Sequence, residues 1–117
     1  MSRRPTVLVV DDDCGCRRLY ERSLSEQFRV RTASTGREGL DRLDEQVAVV
    51  VLDREMPGLS GEEVLDRIKE GPYDPHVVVA SSLPPTGIDR DATLQKPFTP
   101  SALVEAVTEL ASPDQRV

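Results

Sequence analysis

The sequence predicts an α/β fold, a parallel sheet with helices on both faces, on three observations. Apolar runs of four to six residues, rich in valine, recur along the chain, as expected of strands buried on both faces. Between them lie stretches with helical spacing of apolar residues, several opened by capping residues. Two of the runs end abruptly in carboxylates: Val7-Leu8-Val9-Val10 meets Asp11-Asp12-Asp13, and Val49-Val50-Val51-Leu52 meets Asp53. Strand alternating with helix implies a doubly wound sheet. In such sheets ligands sit outside the carboxyl ends of the strands, which is where these acids fall.

Residues 6–10 form the first strand, continuous and apolar, and the acids follow in a short loop. A helix is expected over residues 14–27, with Leu19, Ser23, Leu24 and Phe28 near one face. Residues 28–32 alternate apolar and polar, which fits an edge strand with one wet face. Thr35 with Glu38 has the pattern of a capping box, and Leu40 and Leu43 carry a second helix to about Glu45. Residues 47–52 are the most hydrophobic run and the best candidate for the central strand. The loop after it is punctuated by Pro57-Gly58. Ser60 with Glu63 opens a third helix with the buried stripe Val64, Leu65 and Ile68, and Gly71-Pro72 stops it. Residues 76–80 form a fourth strand ending at Ser81-Ser82, and residues 92–95 a short fifth. Thr99 caps a last helix with Pro100 in its first turn, where a missing N–H does no harm. Leu103, Val104, Val107 and Leu110 form its core face, and residues 112–117 are a polar tail.

A chain of 117 residues is expected to form one domain, residues 1–117 with a core over about 6–110. The net charge of −6 argues against direct nucleic-acid binding, which needs a basic surface. No apolar stretch reaches the roughly 18 residues of a membrane span, so membrane insertion is not expected. Met1-Ser2-Arg3-Arg4-Pro5 carries charge, but only four apolar residues follow before the acids, too few for a signal peptide. A cytoplasmic location is the expectation. Cys14 and Cys16, one residue apart, read as reduced thiols. His76, the sole histidine, reads as packing or surface, and Arg17 and Arg18 as a solvated helix face.

Carboxylates gathered at neighbouring strand ends repel one another unless a cation sits among them or one is protonated. An all-oxygen cluster suits Mg²⁺, which takes one or two carboxylates, waters and phosphate oxygens. Lys96 adds a point charge for the same phosphate, and Ser81 a hydroxyl. A carboxylate beside the metal can attack a phosphoryl group and become an acyl phosphate. Alone, Asp11-Asp12-Asp13 reads as a helix cap and Lys96 as a solvated lysine; their joint occurrence at strand ends favours a site.

Over about residues 6–110 the sequence resembles a receiver domain of a two-component response regulator. The resemblance is carried by Val7-Leu8-Val9-Val10-Asp11-Asp12-Asp13, by Val51-Leu52-Asp53-Arg54-Glu55-Met56-Pro57-Gly58-Leu59-Ser60-Gly61, and by Lys96-Pro97-Phe98. It implies a flavodoxin-like sheet of five strands in the family's order 2-1-3-4-5. It implies that Asp53 is the phosphoacceptor, served by a histidine kinase or phosphotransfer protein. Asp11 and Asp12 match the acidic pair for Mg²⁺ (or Mn²⁺), with Asp12 the more direct ligand, and Asp53 and the backbone carbonyl of Glu55 complete the set. The Glu55 side chain is placed to influence acyl-phosphate hydrolysis. Lys96 matches the lysine that pairs with the phosphoryl group, and Pro97 the proline after a cis bond. Ser81 matches the switch hydroxyl, or Ser82 if the strand is shifted by one. The implied role is a signalling switch acting on a downstream protein, with no enzyme activity beyond self-phosphorylation from small phosphodonors and autodephosphorylation.

Two departures from the family pattern stand out. Thr93 occupies the position of the switch aromatic. Residues 83–91 hold two prolines and a glycine where the family has a helix, so the fourth helix is expected to be short or absent. Two other readings stay open: a degenerate receiver serving as a phosphorylation-independent scaffold, and a haloacid-dehalogenase-type phosphatase. The latter would use Asp11 of the Asp-x-Asp as nucleophile, although the threonine expected soon after is missing.

Overall fold

A computed structural model of the chain describes residues 4–82 and 92–111. Among them, five strands form one parallel sheet in the order β2-β1-β3-β4-β5. The expectation of a short or absent helix over residues 83–91 lies outside the described residues.

β1 (Thr6–Val10) is buried along its whole length, which is why its sequence shows no polar alternation. Asp13 caps α1 (Cys14–Leu24), its side chain accepting the N–H groups of Gly15 and Cys16. The expected buried face needs one correction: Leu19 is 46% exposed, and Tyr20 is buried instead. Tyr20 and Leu24 lie four apart and meet the sheet together, whereas Leu19 points about 100° away around the axis. The helix also ends three residues early, where the Leu24 carbonyl takes the N–H groups of both Gln27 and Phe28. Phe28 therefore packs in the core ahead of β2 (Arg29–Ala33), an edge strand that runs from exposed Arg29 through three half-buried residues to buried Ala33.

α2 (Gly36–Arg42) is shorter than its sequence pattern suggests. The Asp44 carboxylate accepts the Gln46 N–H and its carbonyl accepts the Val47 N–H, a local turn that competes with further helix. Only half of the expected capping box forms at its start. Thr35 Oγ1 accepts the Glu38 N–H, but Glu38 reaches past the cap to the N–H and hydroxyl of Ser34.

β3 (Val47–Asp53) is the central strand, and Asp53 is its last residue. α3 (Gly61–Glu70) opens on the complete Ser60–Glu63 capping box and buries Val64, Leu65 and Ile68. β4 (His76–Ser81) and the short β5 (Ala92–Gln95) finish the sheet. Thr99 Oγ1 accepts the Ala102 N–H to cap α4 (Pro100–Ala111). Among the described residues no helix is long and apolar enough to cross a membrane.

The sheet separates two apolar clusters. Leu8, Val10, Val50, Leu52, Val77 and Val79 face α2 and α3. Val7, Val9, Val49, Val51 and Val78 face α1 and α4, where they meet Tyr20, Leu24, Leu103 and Val107. An irregularity lets β3 keep this arrangement: Thr6 stands opposite Val47 but Val7 opposite Val49. The extra residue, Ala48, packs on the same side as Val49, so the alternation slips once and then resumes.

Leu103 is fully buried and ties α4 to the sheet. Leu103→Ala is expected to cost about 2–5 kcal/mol, the range for an unrelaxed core cavity, read as a lower urea midpoint with an unchanged slope. A loss under 1 kcal/mol would show that α4 is not cooperatively joined to the domain.

Candidate functional site

Strand register delivers the site. Val10 stands opposite Leu52, so the next residues, Asp11 and Asp53, emerge side by side at one end of the sheet. Asp53 stands opposite Ala80, and Ser81 opposite Gln95. Ser81 and Lys96 therefore arrive at the same edge. The backbone ladder continues into the site, with the Arg54 N–H donating to the Ala80 carbonyl at 2.9 Å and the Lys96 N–H to the Ser81 carbonyl at 2.7 Å.

The run of three aspartates divides its labour. Asp11 is 2% exposed, and its carboxylate accepts the Asp13 N–H at 2.9 Å. Asp12 stays exposed, and Asp13 is spent on the α1 cap. Asp53 is 3% exposed; its Oδ1 accepts the Glu55 N–H at 3.1 Å and the Lys96 ammonium at 2.9 Å. One carboxylate oxygen from each of Asp11, Asp12 and Asp53 falls within 4.8 Å of the others, a spacing at which a divalent cation can bridge them. The Lys96–Pro97 bond is cis.

Three carboxylates face one ammonium. Burial pushes the Asp11 carboxyl up to about 6, with further upward pressure from the Asp53 charge and contact that the Asp13 N–H and Lys96 only partly offset. Burial acts on Lys96 in the opposite sense, but its hydrogen bond to Asp53 and the surrounding carboxylates outweigh it and hold the ammonium above its ordinary value. Burial would raise Glu55 as well; hydrogen bonds from Ser81 and Ser82 override it, so the net shift is downward.

Two contacts were not legible in the sequence. The Glu55 side chain accepts from the Ser81 hydroxyl through Oε2, and from the Ser82 N–H and hydroxyl through Oε1 at 3.0 and 3.2 Å. Arg17, expected as solvated surface, donates to the Asp11 carbonyl at 2.8 Å and braces the first acidic loop. A glutamate two residues after the strand-end acid and an arginine one turn into the helix are weak signals, because most such residues are simply solvated. Cys14 and Cys16 are free thiols. Thr93, at the position of the family's aromatic, stands opposite Val79 on β5. Tyr20 of α1 stacks on Phe98, with ring centroids 5.5 Å apart.

The family model for the response regulator receiver domain matches residues 7–108. A putative transcriptional regulator of Haloferax volcanii is 41% identical over 112 residues, 89% of this chain and 19% of that protein. The two-component response regulator ORR3 of rice is 35% identical over 109 residues, 83% of each. The response regulator DrrB of Thermotoga maritima superposes with a TM-score of 0.85 at 28% identity, covering 96% of this chain and 54% of that one. The chain thus spans about a fifth of the Haloferax protein. With its family model matched over residues 7–108 and five parallel strands in the order β2-β1-β3-β4-β5, the chain belongs to the response regulator receiver domains.

Proposed function

We propose that Asp53 accepts a phosphoryl group from a histidine kinase or phosphotransfer protein, and that the resulting acyl phosphate switches the binding of a downstream protein. One observation carries the reading: a buried aspartate with the Lys96 ammonium 2.9 Å away, beside two further carboxylates. In the transfer, a carboxylate oxygen of Asp53 attacks phosphorus, the bond from phosphorus to the donor nitrogen breaks, and the leaving imidazole takes up a proton. The oxygen donors of Asp11, Asp12 and Asp53, with the backbone carbonyl of Glu55, fit a hard cation such as Mg²⁺ or Mn²⁺. When bound, that ion supplies charge to the phosphoryl oxygens. Lys96, which donates to Asp53 in the resting chain, then donates to a phosphoryl oxygen instead, and Ser81 supplies a hydrogen bond from the end of β4. Small phosphodonors such as acetyl phosphate serve the same carboxylate.

Intact mass after incubation with acetyl phosphate and Mg²⁺ tests this. One phosphoryl group is expected in the parent, none in Asp53→Asn, and none when EDTA is added first. An adduct that survives Asp53→Asn but vanishes in Asp11→Asn would move the nucleophile to Asp11 and revive the phosphatase reading. A parent that stays unlabelled even with its kinase would leave the scaffold reading.

A further inference from the structure

We propose that the Glu55 carboxylate is a latch on the end of β4, holding the Ser81 hydroxyl in the unphosphorylated chain and so biasing the switch towards its resting conformation. The inference rests on the assignment of Asp53 as phosphoacceptor. It begins from the three donors gathered by one exposed side chain: the Ser81 hydroxyl on Oε2, and the Ser82 N–H and hydroxyl on Oε1. The Glu55 carboxylate is not one of the carboxylates that cluster at Asp11, Asp12 and Asp53. Its side chain is instead directed across from the β3–α3 loop to the neighbouring strand.

The chemistry of the donors makes the contact exclusive. An ionised carboxylate only accepts, so Ser81 must be the donor, and a hydroxyl has a single proton to give. Ser81 cannot donate to Glu55 and to a phosphoryl oxygen on Asp53 at the same time. Asp53 stands opposite Ala80, the residue before Ser81, so both acceptors compete at the same point of the sheet. Ser82 gives Glu55 two further donors and keeps the carboxylate in place when Ser81 leaves. Each phosphorylation must break the latch, and the latch therefore sets part of the equilibrium between resting and switched states.

Beryllofluoride with Mg²⁺, which occupies a carboxylate as a phosphoryl group does, is the probe, titrated calorimetrically into the full chain. Glu55→Ala removes charge and latch together; Glu55→Gln removes the charge and keeps an acceptor oxygen. Glu55→Ala is expected to bind about fivefold tighter than the parent and about threefold tighter than Glu55→Gln, a modest population shift. In a Ser81→Ala/Ser82→Ala background the difference between Glu55→Ala and Glu55→Gln should vanish. Equal affinities for Glu55→Ala and Glu55→Gln, with the serines present, would mean that charge alone acts and would overturn the latch while leaving Asp53 as acceptor. A parent that takes up neither beryllofluoride nor acetyl phosphate would overturn the underlying reading, and the latch with it.

Discussion

In the metal-free protein at pH 7, Asp11→Asn is expected to raise stability by about 1–2 kcal/mol, and added Mg²⁺ should no longer stabilise the variant. Asp11 is buried beside Asp53, and its carboxyl is pushed up to about 6. Keeping it ionised at pH 7 therefore costs free energy in the folded state that the unfolded chain does not incur. The shift of about two units, taken at face value, corresponds to nearly 3 kcal/mol; partial solvation of the pocket reduces it. Asparagine keeps an oxygen for the Asp13 N–H, now held at 2.9 Å, and offers a donor to Asp53 as the protonated acid does.

The pH dependence has a definite sign. A carboxyl whose folded value lies above its unfolded one stabilises the fold below the unfolded value, and that contribution is lost as pH rises through the folded value. The metal-free parent should lose this contribution between about pH 4 and pH 7 relative to Asp11→Asn, and the two should converge at the acid end. Mg²⁺ at ten times its dissociation constant should return about 1.4 kcal/mol to the parent. Thermal unfolding across this pH range, with and without Mg²⁺, checks both points. Equal Mg²⁺ stabilisation of parent and variant would exclude Asp11 as a ligand.

Gly61→Ala should be the most damaging single-methyl change near the site. A Cβ there would lie 2.6 Å from the Arg54 Cα and 2.8 Å from the Asp53 carbonyl oxygen. Both are backbone atoms, so no side chain can swing aside. Gly61 also donates its N–H to the Arg54 carbonyl at 3.1 Å, which pins the first turn of α3 against the loop after β3. Relief requires moving that turn or the loop that carries Asp53. The cost should be about 3 kcal/mol, at the upper end of overpacking penalties, together with at least tenfold slower labelling by acetyl phosphate. Gly58→Ala is the contrast: its φ of +77° disfavours a side chain, but nothing lies within 4 Å of the added carbon. That variant should lose only about 1 kcal/mol and label normally. Chemical denaturation and labelling rates distinguish the two, and a Gly61→Ala protein as stable as its parent would refute the close approach.

The sheet and its site edge were largely legible because both depend on long, strongly patterned stretches. Val7 to Val10 and Val47 to Leu52 admit few other readings, and once they pair in parallel, Asp11 and Asp53 must emerge together. The helix ends were less legible. α2 stops at Arg42 because Asp44 forms a local turn, a choice that helical spacing of Leu40 and Leu43 does not encode. On α1 the sequence reading puts Leu19 on the buried face, where the structure has Tyr20, because both are large enough to fill a core position and a single step around a helix decides between them. The Glu55 contacts were hidden for a different reason: they join residues 26 and 27 positions apart, and exist only because β3 and β4 are neighbours.

The division of the interior by a sheet one residue thick bears on how the sequence can drift. Each strand residue projects into one cluster, so neighbours such as Leu8 and Val9 serve different faces. A loss of volume at Leu103 can be offset by enlarging Val78 or Val107, which share its face, but not by enlarging Val79, which lies across the sheet. Epistasis among interior positions should therefore fall into two sets that follow the odd and even positions of β1 and change phase at Ala48 in β3. Double variants within a set should depart from additivity, and pairs drawn from opposite faces should sum.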